Sequence, residues 1–152
     1  MTRKKRLTIG VLIEFLEGNY QSIVWPGIVD TAIENDCNLI LFPGKESKRT
    51  ERSEFQHEIT YQLIDERKID GLVCTSSVFT NYYGIEGALD FFQQFASIPM
   101  AHIGMKVEGA ISVTIENKEA ICETIEHLIT EHKHKKIAFI QGPIYNNESR
   151  DR

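Results

Sequence analysis

Three cysteines are too few, and too widely spaced, for a disulfide framework: Cys37, Cys74 and Cys122 are odd in number and form no Cys-x-x-Cys pair. Reduced thiols in or near a core are the expectation for such spacing. Net positive charge is also missing. A formal charge of -5 argues against nucleic acid as the main partner of these residues. The exception is Arg3-Lys4-Lys5-Arg6, which reads as a solvated tail over residues 1–6 because nothing basic or aromatic extends it. No stretch approaches the roughly 20 apolar residues that cross a bilayer. The basic tail and the apolar run behind it imitate a secretory signal, but Glu14 interrupts the run and no small-residue cleavage site follows. A cytoplasmic protein without membrane contact is expected.

The absences extend to catalytic signatures. Gly44-Lys45-Glu46-Ser47 is no phosphate loop, because Leu39 stands where a glycine is needed and Glu46 where Ser or Thr is needed. Gly10 and Gly18 are too far apart for a dinucleotide fingerprint, and Gly-x-Ser-x-Gly is missing. A phosphoacceptor receiver needs an Asp closing its third strand, an acidic pair closing the first and a Lys closing the fifth; here stand Cys74, Glu14 and Gln141. No trio stands out as nucleophile, base and orienter, so the residues favour binding over catalysis, with no cofactor. His127, His132 and His134 lie near Cys122, but the segment reads better as the polar end of an amphipathic helix than as a metal site.

What is present is an alternation of short apolar runs and helical periodicity. Leu7 to Ile13 is a continuous apolar run of strand length, as expected of a strand covered on both faces. Tyr20, Val24, Ile28 and Ala32 recur every four residues and predict a helix, with Pro26 inside it as a source of a kink or a broken first turn. Asn38 to Phe42 is a second strand, stopped by Pro43-Gly44. A capping box over Ser53 to Gln56 opens a second helix ending near Arg67, its inward face marked by Phe55, Ile59 and Leu63.

Ile69 to Cys74 is a third strand, opening into a loop of hydroxyls and aromatics over Thr75 to Gly84, the place where an α/β protein tends to hold a ligand. The helix from Ile85 to about Phe95 carries Phe91, Phe92 and Phe95, a surplus of aromatic surface that suggests a subunit contact. Ile98 to Gly104 and Ala110 to Ile115 are further extended pieces. Asn117 caps a last helix, with Ile121, Ile125, Leu128 and Ile129 facing inward. Lys135 to Pro143, with Ile-Ala-Phe-Ile at its centre, predicts one more buried strand delivered abruptly to a loop. The pattern predicts an α/β fold, a parallel doubly wound sheet of flavodoxin-like order 2-1-3-4-5, with ligands at the carboxyl edge of its strands.

Five segments taken together resemble a known family. Leu7-Thr8-Ile9-Gly10-Val11-Leu12, the aromatic helix start at Tyr20, Ile69-Asp70-Gly71-Leu72-Val73, Ser112 to Asn117 and Lys136 to Pro143 are similar, in order and spacing, to the effector domain of lactose/galactose-repressor relatives, which have the type I periplasmic binding protein fold. The resemblance implies two lobes with a small polar metabolite held between them and a homodimer as the working unit. Residues 7–141 would then form the N-terminal lobe, and residues 142–152 the start of a crossover to a second lobe. It also implies ligand contacts from Phe15, Tyr20, Thr75 and Ser76, and a clamping guanidinium from Arg152. Only six residues precede the first strand, Gly104-Met105 stands where the repressors have Asp-Arg, and Glu116 replaces an Asp. The pattern Pro99-Met100-Ala101-His102-Ile103-Gly104 with a Gly-Pro plus Asn-Asn-Glu ending more closely resembles the sensor modules at the front of bacterial diguanylate cyclases and histidine kinases, and the short stretch before strand one implies no direct nucleic-acid contact by this segment. Two alternatives stay open: the effector-domain fragment of a DNA-binding transcriptional repressor, and a stand-alone small α/β enzyme.

Overall fold

The computed structural model describes residues 5–14, 16, 18–44, 60–144 and 146–150. Five strands, β1 (Thr8–Ile13), β2 (Asn38–Pro43), β3 (Gly71–Cys74), β4 (Met100–Ile103) and β5 (Ile111–Val113), form one sheet in the order β2-β1-β3-β4-β5. Every pairing is parallel, with Val11 beside Leu41 on one side and beside Val73 on the other. This is the order that the sequence predicts.

The reason lies in β1. Val11, Leu12 and Ile13 have no exposed surface, and since successive strand side chains point to opposite faces, both faces of β1 are covered. Its entry is fixed by Asp70, whose carboxylate accepts the Thr8 N–H at 2.9 Å and a Lys5 Nζ hydrogen bond at 2.7 Å. Those two donors, Lys5 first, hold the Asp70 carboxyl below the usual carboxylate range.

Helix α1 (Gln21–Glu34) runs through Pro26 and stays helical on both sides of it. Backbone bonds from Ser22 to Gly18 and from Val24 to Tyr20 already wind the first turn ahead of the proline. Its predicted inner face holds: Ala32 is buried and Tyr20, Val24 and Ile28 are partly covered, whereas Ile23 and Ile33 point to solvent. The predicted second helix falls mostly outside the described residues; Thr60 to Gln62 are helical, and Tyr61 is buried in the core.

The structure corrects the reading of two regions. The stretch after β3 is no loop: α2 (Ser76–Gln93) begins at once and takes in the segment expected to be irregular. A sharp break at Gly84, with φ 67°, separates its two halves, a conformation that glycine adopts without a Cβ clash. Ser, Thr, Asn and Tyr are weak helix formers, but Phe79 and Thr80 are buried here, and tertiary packing overrides that preference. The aromatic surplus of the second half is also spent inside: Phe92 and Phe95 are buried, and Phe79 stacks on Phe91 with centroids 5.2 Å apart.

The second correction concerns the C-terminal third. Helix α3 (Asn117–Thr130) is capped by Glu116, whose carboxylate accepts the Glu119 N–H at 3.4 Å, not by Asn117. None of its residues is buried, so Ile121, Ile125, Leu128 and Ile129 face no core among the described residues. Nor do residues 135–143 form a strand; Ile140 is 96% exposed and Phe139 54%. The short helix α4 (Asn147–Arg150) then returns to pack against α2. Of the thiols, Cys74 is buried and Cys37 half-buried, but Cys122 is exposed, against the expectation of a place in or near a core. No described helix is long and apolar enough to cross a membrane.

Candidate functional site

A cleft of about 360 Å³ opens at the carboxyl edge of the sheet. Four parts of the chain build it. Glu14 directly follows β1, Tyr20 and Gln21 start α1, the first half of α2 supplies Ser77, Asn81 and Tyr82, and the returning segment brings Asn146 and Glu148. In a parallel sheet every strand delivers its following residues to the same edge, so these side chains converge although they are far apart in sequence.

The wall is held by hydrogen bonds among its own members. Asn146 Nδ2 donates to Asn81 Oδ1 at 2.7 Å, and Asn146 Oδ1 accepts the Ser149 N–H at 3.0 Å. Burial raises the Tyr20 hydroxyl above its ordinary value and the nearby Glu148 charge adds to this, so the phenol stays protonated and can donate. Ser77 lies beside Tyr20 and draws that hydroxyl back towards the ordinary value. Gly104, at φ 79° after β4, lies against Ser77 and within reach of Glu148; a Cβ there would collide with the Ser77 side chain.

Of the residues expected to contact a ligand, Tyr20 lines the cleft. Phe15 and Arg152 lie outside the described residues. Thr75 and Ser76 have no exposed surface and use their hydroxyls internally. Thr75 Oγ1 donates to the Leu12 carbonyl at 3.3 Å. Ser76 Oγ lies 3.2 Å from the Cys74 carbonyl and 2.8 Å from His102 Nδ1. Both Ser76 contacts are satisfied together when the His102 Nδ1–H donates to Oγ and the hydroxyl proton goes to Cys74. Burial lowers the His102 pKa, which favours that neutral imidazole. These two residues thus tie β1, β3 and β4 together under the cleft.

Ser77, Asn81 and Tyr82 belong to the Thr75–Gly84 stretch expected to hold a ligand, though not among the residues named as contacts, whereas Glu14, Gln21, Asn146 and Glu148 were not expected in the site. A signal was present. Once α2 starts at Ser76, Ser77 and Asn81 are one helical turn apart, as are Val78 and Tyr82, and all four line the cleft. The histidines at the end of α3 do approach one another, with Nε2 of His127 and His132 3.1 Å apart. Among the described residues, however, no group of three or more His, Cys, Asp or Glu side chains is placed to hold a metal ion.

No family model matches the chain, and no curated protein is significantly similar to it. Solved structures do match. The lac repressor dimer bound to operator and the anti-inducer ONPF is 17% identical with a TM-score of 0.71, covering 98% of this chain and 49% of its own. The Escherichia coli transcriptional repressor ascG is 21% identical with a TM-score of 0.63 over 96% of this chain and 50% of that one. A LacI family transcriptional regulator from Lactobacillus casei with bound sucrose is 15% identical, with a TM-score of 0.61 over 95% and 50%. The chain therefore spans about half the length of the structures it matches. With its five parallel strands in the order 2-1-3-4-5, it has the fold of a single lobe of the type I periplasmic binding protein-like effector domains found in these repressors.

Proposed function

We propose that these residues form the first lobe and the opening segment of the second lobe of a small-molecule-sensing domain of a bacterial regulator, cytoplasmic and homodimeric, which binds a polar metabolite rather than turning one over. The single observation that carries this reading is the cleft at the carboxyl edge of the sheet, lined by Tyr20, Gln21, Ser77, Asn81 and Asn146, groups suited to hydrogen-bonding a polar ligand. An open cleft that buries one side of a ligand calls for a second jaw. The coverage of about half of each matched structure supports a two-lobe protein.

Within this reading the boundary between lobes falls near Glu116 rather than Gln141. Support comes from α3 and residues 135–143, none of whose residues is buried and which leave Ile129, Phe139 and Ile140 exposed, as the opening elements of a second lobe would before its core is assembled. Ligand bound across both lobes favours the closed arrangement only through its higher affinity for it, and that difference drives the signal to an attached output domain.

Calorimetry with a panel of sugars, sucrose and trehalose among them, tests the proposal by comparing this 152-residue chain with one extended by a second lobe. The extended chain is expected to bind at least roughly tenfold tighter, about 1.4 kcal/mol. Equal affinity in the two would refute the clamp. A second reading, the effector part of a DNA-binding repressor, is favoured by the operator-bound lac repressor among the matches. A helix-turn-helix encoded in the same gene decides for it.

A further inference from the structure

One side chain of the cleft is buried and still uncommitted. Gln21 is the first residue of α1, keeps only 4% of its surface exposed and lines the cleft. It heads the covered stripe that continues through Val24, Ile28 and Ala32, a place where helical spacing calls for an apolar side chain. Among the described residues nothing donates to its side-chain amide or accepts from it. Thr75, Ser76 and Thr80, at least as deeply buried, are all bonded internally, Thr80 Oγ1 donating to the Ser77 carbonyl at 2.7 Å.

A buried amide without a partner lowers stability, because it has given up water for nothing in return. Helical side chains lean towards the helix N-terminus, and α1 begins at the carboxyl edge of the sheet, so Gln21 is directed at the cleft. A primary amide brings an acceptor and two N–H donors in one plane. Asn81 does not offer the same choice: its Oδ1 already accepts from Asn146 Nδ2 at 2.7 Å, which leaves mainly its own N–H pair for a ligand.

We infer that Gln21 sets the specificity of this site: its amide is kept for the ligand and selects one that presents a hydrogen-bond donor beside an acceptor, as two neighbouring hydroxyls do, over one with a single polar group. This selectivity rests on the cleft being the ligand site, and the test separates the two.

Gln21→Met keeps the length of the side chain and removes its polar end. An amide held for a ligand predicts a urea midpoint at or above that of the wild type; a lower midpoint means that Gln21 braces the fold and overturns the inference whatever the ligand is. Binding is read by NMR of the 152-residue chain, from the Gln21 side-chain NH2 and the backbone amides of Ser77 and Asn81, during titration with myo-inositol and with cyclohexanol to about 50 mM, since half a cleft binds weakly. Myo-inositol carries a hydroxyl on every ring carbon, cyclohexanol on one. Myo-inositol should move all three signals, cyclohexanol should leave the Gln21 NH2 in place, and Gln21→Met should weaken myo-inositol roughly tenfold as read at Ser77 and Asn81. If myo-inositol moves Ser77 and Asn81 but not the Gln21 NH2, binds the variant equally well or is matched by cyclohexanol, Gln21 does not select the ligand while the site stands. If neither compound moves any of these signals, the site reading fails and takes the inference with it.

Discussion

At the scale of single residues, the edge of the sheet divides into groups that brace it and groups that are offered to a ligand. Thr75, Ser76 and His102 belong to the first kind, since their polar atoms are already bonded to neighbouring strands. His102 consequently makes stability depend on pH. Its folded pKa lies below the usual 6.5, so between those two values the unfolded chain binds more protons than the folded one. Stability is therefore full above 6.5 and falls as pH drops through that window. Urea titrations across the range should show the slope in the wild type and lose it in His102→Gln; an unchanged slope would mean that another group sets it. Gly104 is the sharper case. An alanine there meets both the positive φ, worth about 1–2 kcal/mol, and the Ser77 side chain. Gly104→Ala should lower the urea midpoint and shift the Ser77 and Tyr20 resonances, whereas Gly109→Ala, at φ 76° with open space around it, should cost only the backbone part.

Elements differ in how far they could be read before the structure. β1 was legible because a short run dominated by Ile, Val and Leu, with only Thr8 and Gly10 between them, has few destinations other than a doubly covered strand, and the α1 face was legible because its period is regular. The start of α2 was not, because a string of Ser, Thr, Asn and Tyr signals a loop unless one knows that Phe79 and Thr80 will be buried. The Ile-Ala-Phe-Ile segment failed for the opposite reason. An apolar run announces that it will be covered, but not by which part of a protein, and here the lobe does not cover it. The cleft was half legible: its place at the carboxyl edge followed from the fold class, while the side chains lining it depended on helical phase. These contrasts fix the energetics of two substitutions. Phe79→Ala removes a buried ring stacked on Phe91 and Tyr83 and should cost about 3–5 kcal/mol in denaturant unfolding. Ile140→Ala should stay within about 0.5 kcal/mol of the wild type.

For the molecule as a whole, the uneven distribution of apolar surface carries the most weight. Apart from Tyr82 and Tyr83, the large side chains of β1 and α2 are covered at least in part, yet Ile111, Val113, Ile115, Phe139, Ile140 and Ile144 are all exposed on or after β5. Scattered apolar residues at a surface are ordinary, but a concentration in one third of the chain marks a face that another body covers. The proposed second lobe would provide that cover, and its arrival would also complete the cleft, so burial of this surface and tight ligand binding should appear together. A dye that fluoresces on apolar surface, such as ANS, distinguishes the possibilities. The 152-residue chain should bind it strongly. The Phe139→Asp/Ile140→Asp double variant should bind it less at unchanged stability, because neither ring nor chain packs into the core. A chain extended by the second lobe should bind it least and should gain sugar affinity in the same step. If the extended chain gains affinity but keeps the dye, the apolar face serves a contact between subunits instead, and the homodimer rather than the second lobe is what covers it.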